Sequence, residues 1–127
     1  MRTCEKWAAV MGVAAVCLAG CNGGKEISAY SIARAGTARQ GRQVIVKYRC
    51  GSCHVIPGVP HAHGTFGPPL NMMALRTYIA GEFPNDPQNL TRWIEAPTTM
   101  KPKTTMPDLG LSQQEAMSAA AYLETLR

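Results

Sequence analysis

This chain of 127 residues has no apolar run long enough to cross a bilayer comfortably. Its best candidate, 7–19, falls short of the about 20 residues a spanning helix needs. No stretch alternates apolar and polar residues as a half-buried strand does, which argues against a domain built on sheets. Neither an internal repeat nor a low-complexity tract is present, so repeat arrays are excluded. Charge of one sign is not concentrated either: the formal net charge is +5, but no basic stripe with interleaved aromatics marks a nucleic-acid surface. The mild basicity suits acidic partners or a membrane surface instead.

What is present begins with a targeting pattern. Arg2 and Lys6 give a basic start, interrupted by Glu5, and the apolar run ends in Leu18-Ala19-Gly20-Cys21. Small residues before a cleavage point mark a secretory signal peptide. The cysteine directly after them makes the segment resemble a bacterial lipoprotein signal. That resemblance implies cleavage before Cys21, a diacylglyceryl thioether on its sulfur and usually an acylated amino group. A plain signal peptide with an incidental cysteine is the alternative, but the four-residue match sits where the apolar run stops. Asn22 after the lipid cysteine favours the outer membrane under the sorting rule known for some bacteria. Removing 1–20 leaves 107 of the 127 residues and, with Arg2, Lys6 and Glu5 gone, lowers the charge from +5 to +4. That length suffices for one small domain with a limited core.

Residues 21–36 are rich in Gly, Ser, Ala, Lys and Glu with little apolar patterning, and read as a flexible tether. A first helix is expected over about 37–49, where Gly41, Val44, Ile45 and Tyr48 share a face. A glycine on that buried face costs about 1 kcal/mol relative to alanine and suggests that another element approaches closely. In 51–70, Gly51, Gly58, Gly64 and Gly67 alternate with Pro57, Pro60, Pro68 and Pro69, which predicts a loop. So long a loop is reasonable if it wraps a cofactor. Short helices are expected over about 71–79 and 87–96, the second started by Asp86-Pro87 and stopped by Pro97. Residues 97–110 read as loop. The last helix is the best marked: Ser112 and Glu115 form a capping box, followed by an apolar, small-residue face of Ala116, Ala119, Ala120, Tyr122, Leu123 and Leu126. That face could sit against Gly41.

The chemistry concentrates at Cys50-Gly51-Ser52-Cys53-His54. C-x-x-C-H is the attachment signature for c-type haem: two thiols at this spacing can add across the two vinyl groups of one haem, and the adjacent imidazole then falls under the iron as proximal ligand. The five cysteines agree. Cys4 and Cys17 leave with the signal, Cys21 takes lipid, Cys50 and Cys53 take haem, and no thiol remains exposed to oxidation in an exported protein. A zinc site would want two more ligands, and His61-Ala62-His63 lacks the usual H-x₃₋₅-H spacing. A thioredoxin-like pair would need a strand before and a helix after the cysteines. His61 and His63 read as solvated loop residues, with a transient ligand or proton-linked modulator as the sharper alternative. An electron-transfer iron needs a second axial ligand, and soft thioether sulfur favours the ferrous state. Met72 and Met73 fall in a short helix where packing is the usual role, and Met117 lies in the last helix. Met100 and Met106 both lie in the loop before that helix, so the residues alone leave these two open.

From about Thr37 to Arg127 the chain resembles class I monohaem c-type cytochromes. The resemblance rests on Gly41, Cys50 to His54, Gly67-Pro68-Pro69-Leu70, Met106-Pro107 and Tyr122-Leu123, in the family's order. It implies an all-α cytochrome c fold, three to five helices wrapped around one covalently bound haem c, in a domain spanning 37–127. It implies Met106 as distal ligand, the Pro68 carbonyl as acceptor for the His54 ring N–H, Gly41 and Tyr122 at the crossing of the terminal helices, and Trp93, in the segment 90–97, against the haem. Many relatives have Gly where Lys103 stands, which keeps Met100 as second choice.

The expected function is a membrane-tethered single-electron carrier with His54 and Met106 bound in both oxidation states, in a respiratory or related chain, transforming no substrate. It would be held by lipid at Cys21 on the periplasmic or extracytoplasmic side of a bacterial membrane, near redox protein partners. Two alternatives stand beside it: a haem enzyme or gas or peroxide sensor with an open distal site, and a fixed subunit of a respiratory complex. Lys101 and Lys103 read as solubilising charges, or as docking charges for an acidic redox partner.

Overall fold

The computed structural model describes residues 37–127; the expected signal peptide 1–20, the lipid cysteine Cys21 and the tether 21–36 lie outside them. A first helix, α1, covers 37–47. A 3-10 turn, Cys50–Ser52, follows, and then irregular chain to a second 3-10 turn, Met73–Leu75. Next come a hairpin of β1 (Tyr78–Ile79) and β2 (Phe83–Pro84), and the helices α2 (Pro87–Glu95), α3 (Pro97–Met100) and α4 (Gln113–Leu123). The main elements are all α, as expected from the resemblance.

Local chemistry explains the helices that the sequence marked. Asp86 caps α2 by accepting the Asn89 N–H at 2.8 Å, and Pro87 occupies the first turn, where its missing N–H costs nothing. Leu90, Thr91 and Ile94 are the buried face of α2. Ser112 and Glu115 close the expected capping box on α4, the Ser112 N–H donating to Glu115 Oε2 at 3.0 Å. The buried face of α4 is mostly small: Ala116, Ser118, Ala119, Ala120 and Leu123. Gly41 of α1 lies against that face. A Cβ at position 41 would strike the Ser118 carbonyl and come within 3.0 Å of Tyr122 Cβ, so only glycine lets the two backbones approach.

Two expectations are corrected. The helix expected over 71–79 is a single 3-10 turn followed by a strand. Met72 sits in the left-handed region at φ 55°, which breaks helical propagation, and Tyr78–Ile79 instead pair antiparallel with Phe83–Pro84. The expected loop over 97–110 opens with a short helix: Ala96 leaves the helical region (φ −144°, ψ 66°) before Pro97, which ends α2, and Pro97 then serves as first residue of α3.

The core gathers Ile45 from α1, Leu90 and Ile94 from α2, and Ala119 and Leu123 from α4. The irregular segment after the first 3-10 turn is pinned to the helices. The Tyr122 hydroxyl donates to the Pro57 carbonyl at 2.7 Å, and Arg42 Nε donates to the Gly58 carbonyl at 2.5 Å. No helix among the described residues is long and apolar enough to cross a membrane.

Candidate functional site

The Cys50–Ser52 turn begins directly behind α1. Arg49, at φ 53°, turns the chain sharply out of the helix, so Cys50 and Cys53 arrive together on one edge of a cavity. The His54 N–H donates to the Cys50 carbonyl at 3.1 Å, which folds the imidazole back toward the same cavity. Cys50 and Cys53 are free thiols, both half-buried. Burial is the main influence on the Cys50 thiol and pushes its pKa up.

His54 is held by two neighbours. Its Nδ1 lies 2.7 Å from the Pro68 carbonyl oxygen. That oxygen can only accept, so Nδ1 carries the proton and the Nε2 lone pair is left for a metal. Gly67 also lies close to the ring: a Cβ there would strike Cε1 and stand 2.7 Å from Nδ1 and 2.9 Å from Nε2. Backbone bonds fix the geometry of this stretch, with Gly67 N–H donating to Cys53 O and Leu70 N–H to Val55 O, each at 2.8 Å.

The cavity measures ≈ 750 Å³, within the about 300–1,000 Å³ typical of sites for whole cofactors. Its wall is chiefly apolar, with Ile45, Leu90, Ile94, Ala119 and Leu123 among the lining residues. All six residues singled out from the sequence, Cys50, Cys53, His54, Pro68, Trp93 and Met106, line it. Trp93 is steadied by Phe83, whose ring centroid lies 6.1 Å away. Of the other methionines, Met73 also lines the cavity and is buried in the core. Met100 does not line it, and Met72 and Met117 are exposed. His61 and His63 are exposed and line none of it.

Several contributors escaped the sequence reading. Arg76 donates to the carbonyls of Pro69 and of Asn71, the latter at 3.3 Å, clamping the chain just beyond the His54 acceptor. Asn85 donates to Met73 O at 2.8 Å and Arg76 O at 2.9 Å, tying the hairpin to that clamp. Neither carries a local signal, because the partners are carbonyls brought near only by the fold. Lys101 is not a free surface charge: its Nζ donates to the Ala80 carbonyl at 2.9 Å and lies 3.6 Å from Glu82 Oε1. Lys103 is exposed.

Paired thiols, an imidazole with a free Nε2 and a large apolar cavity are together the donor set and volume that a covalently attached haem requires. Sequence comparison agrees: the family model for cytochrome c matches residues 38–127. The chain belongs to the cytochrome c family. Membership implies haem c as the covalent cofactor and haem-based electron transfer as the general activity. A relative among characterised proteins is cytochrome c oxidase subunit 2 of Alkalihalophilus pseudofirmus, 34% identical over 91 residues, which are 71% of this chain and 26% of that protein. The chain therefore spans about a quarter of that relative's length. No solved structure matches the chain significantly.

Proposed function

We propose that this cytochrome c carries single electrons, using His54 and Met106 as axial ligands to a haem held through thioethers on Cys50 and Cys53. The observation that carries the reading is the hydrogen bond from His54 Nδ1 to the Pro68 carbonyl, which commits the ring's tautomer and leaves Nε2 for iron. Met106 lines the same cavity, and its thioether is a soft donor that favours the ferrous state.

The bound group supplies a one-electron ferric/ferrous couple. The protein's part is to hold that couple in place. With His54 and Met106 both holding the iron, no position on it would be left for a substrate, which supports a carrier over an enzyme. Trp93 and the aliphatic wall keep water from the cofactor's faces and favour the less charged, reduced state. Attachment at Cys50 and Cys53 would fix how the cofactor is presented to a partner.

The placement is extracytoplasmic, with a lipid at Cys21 anchoring a tether over 21–36 and the domain over 37–127. Two or three acyl chains hold firmly where one gives only marginal binding, and tethering raises the effective concentration near membrane-bound partners. Likeness to an oxidase subunit supports a place in a respiratory chain, beside redox proteins or within a complex.

The test is the absorption spectrum of the purified haem protein, oxidised and reduced, with Met106→Ala beside it. The expected result is the weak long-wavelength band of methionine sulfur on ferric iron, lost in the variant. A high-spin spectrum that shifts on adding carbon monoxide or peroxide would mean an open iron and a haem enzyme or sensor.

A further inference from the structure

The segment 101–108, which carries Met106, is tied down at both ends, and the ties run to two different elements. At its start, Lys101 reaches across the cavity rim to the turn of the hairpin. Its Nζ donates to the Ala80 carbonyl at 2.9 Å and lies 3.6 Å from Glu82 Oε1. Ala80 is a non-glycine residue in the left-handed region, at φ 51°, where an L side chain is disfavoured. A charged donor on its carbonyl helps to hold that turn. At the segment's end, Asp108 reaches back to the start of α3. One carboxylate oxygen accepts the Thr98 N–H at 3.1 Å, and the other accepts the Thr98 hydroxyl. Between the ties, the Thr104 N–H donates to the Lys101 carbonyl at 2.9 Å, and Thr104 Oγ1 accepts the Met106 N–H at 3.2 Å. The segment has no regular secondary structure of its own, so these bonds and its packing are what fix it.

We propose that Lys101 and Asp108 are positioning residues that set how firmly Met106 is held at the iron, by bracing its loop against the hairpin and against α3. The inference rests on Met106 being the distal ligand. Both braces involve an ionised group, and such hydrogen bonds are stronger than neutral ones. Each also spans a sequence gap, 21 residues for Lys101 to Ala80 and 10 for Asp108 to Thr98. Each therefore removes freedom that the loop would otherwise use to swing the sulfur away. Without them the distal position opens more often while the rest of the fold stands. Each brace favours the closed arrangement over the open one, so the open population rises with each one lost.

The experiment compares full-length, haem-loaded wild type with Lys101→Met, which keeps an apolar stem and removes the ammonium, and Asp108→Ala. Asp108→Asn retains an acceptor and should be milder. Three signals are followed in rising guanidinium: the ferric methionine band, far-ultraviolet circular dichroism, and carbon monoxide binding to the ferrous protein before denaturation. The braced loop predicts that both strong variants lose the band at lower denaturant than they lose helix. It also predicts that they bind carbon monoxide several-fold faster than wild type, and that the Thr98 amide exchanges faster in Asp108→Ala. Glu115→Gln, which weakens the α1–α4 contact and removes none of the loop's bonds, should move band and helix signals together. If Met106→Ala retains the band, the ligand assignment itself is wrong. If Met106→Ala loses it but Lys101→Met and Asp108→Ala keep band, carbon monoxide rate and Thr98 exchange at wild-type values, the bracing role is overturned.

Discussion

A single methyl group at position 67 would collide with the His54 imidazole, whose Nδ1 would stand 2.7 Å and Nε2 2.9 Å from it. Gly67 is thus present for close approach, and the hydrogen bond to Pro68 O fixes the ring as well. Gly67→Ala must push the imidazole, shift the loop, or both, and overpacking of this kind costs about 1–3 kcal/mol. Thioether attachment does not depend on the ring, so the variant should still load haem. It should unfold at a lower temperature, and its ferric spectrum should be altered because the imidazole is tilted. An unchanged melting curve together with an unchanged spectrum would show that the ring is not confined as described. The attachment motif was legible residue by residue, because its chemistry depends on adjacent positions. The choice between Met100 and Met106 was not legible from those residues: both lie before α4, and only the folded path of the loop puts Met106 in the cavity wall and leaves Met100 out.

At the scale of elements, the helices with local start signals, α2 and α4, were readable, and those whose pairing is non-local were not. The β1–β2 hairpin consists of two-residue strands, too short to show alternation. Its turn is held by Lys101, 21 residues from Ala80. Pro97 was read as a stop, which it is for α2, yet the same fixed φ starts α3. The capping box of α4 also has a second, unforeseen use. Glu115 accepts from Lys47 Nζ at 2.6 Å and from the Tyr48 hydroxyl at 2.9 Å, so the residue that starts α4 also joins it to the end of α1. The Lys47 bond first, then the Ser112 and Tyr48 bonds, hold the Glu115 carboxyl down from 4.5 to about 2. A depressed carboxylate stabilises fully above its ordinary value and loses that contribution as pH falls through its folded value. Melting temperature should therefore fall as pH drops from about 4.5 to about 2. In Glu115→Gln that slope should flatten, from a lower starting point. Because the pair is largely exposed, added salt should shrink the difference. Equal slopes for the two proteins across that window would remove Glu115 from the account.

For the molecule as a whole, the cavity is too large to be incidental. At ≈ 750 Å³ it has the volume of a cofactor site and not of a packing defect. Its wall includes Ile45, Leu90, Ile94 and Leu123. These are among the most buried side chains of the chain, each at most 8% exposed, and they come from α1, α2 and α4. The same residues thus serve both the core and the cofactor's seat, so filling the cavity would add packing to all three helices. A chain carrying Cys50→Ala and Cys53→Ala, kept free of haem, should retain part of its helical far-ultraviolet signal, where capping and short-range bonds suffice. It should lack a cooperative thermal transition and should bind a dye that reports exposed apolar surface. A sharp transition at the temperature of the haem-loaded protein, with no dye binding, would mean that the helices pack without the cofactor, and that the cavity is a preformed socket instead of the missing part of the core.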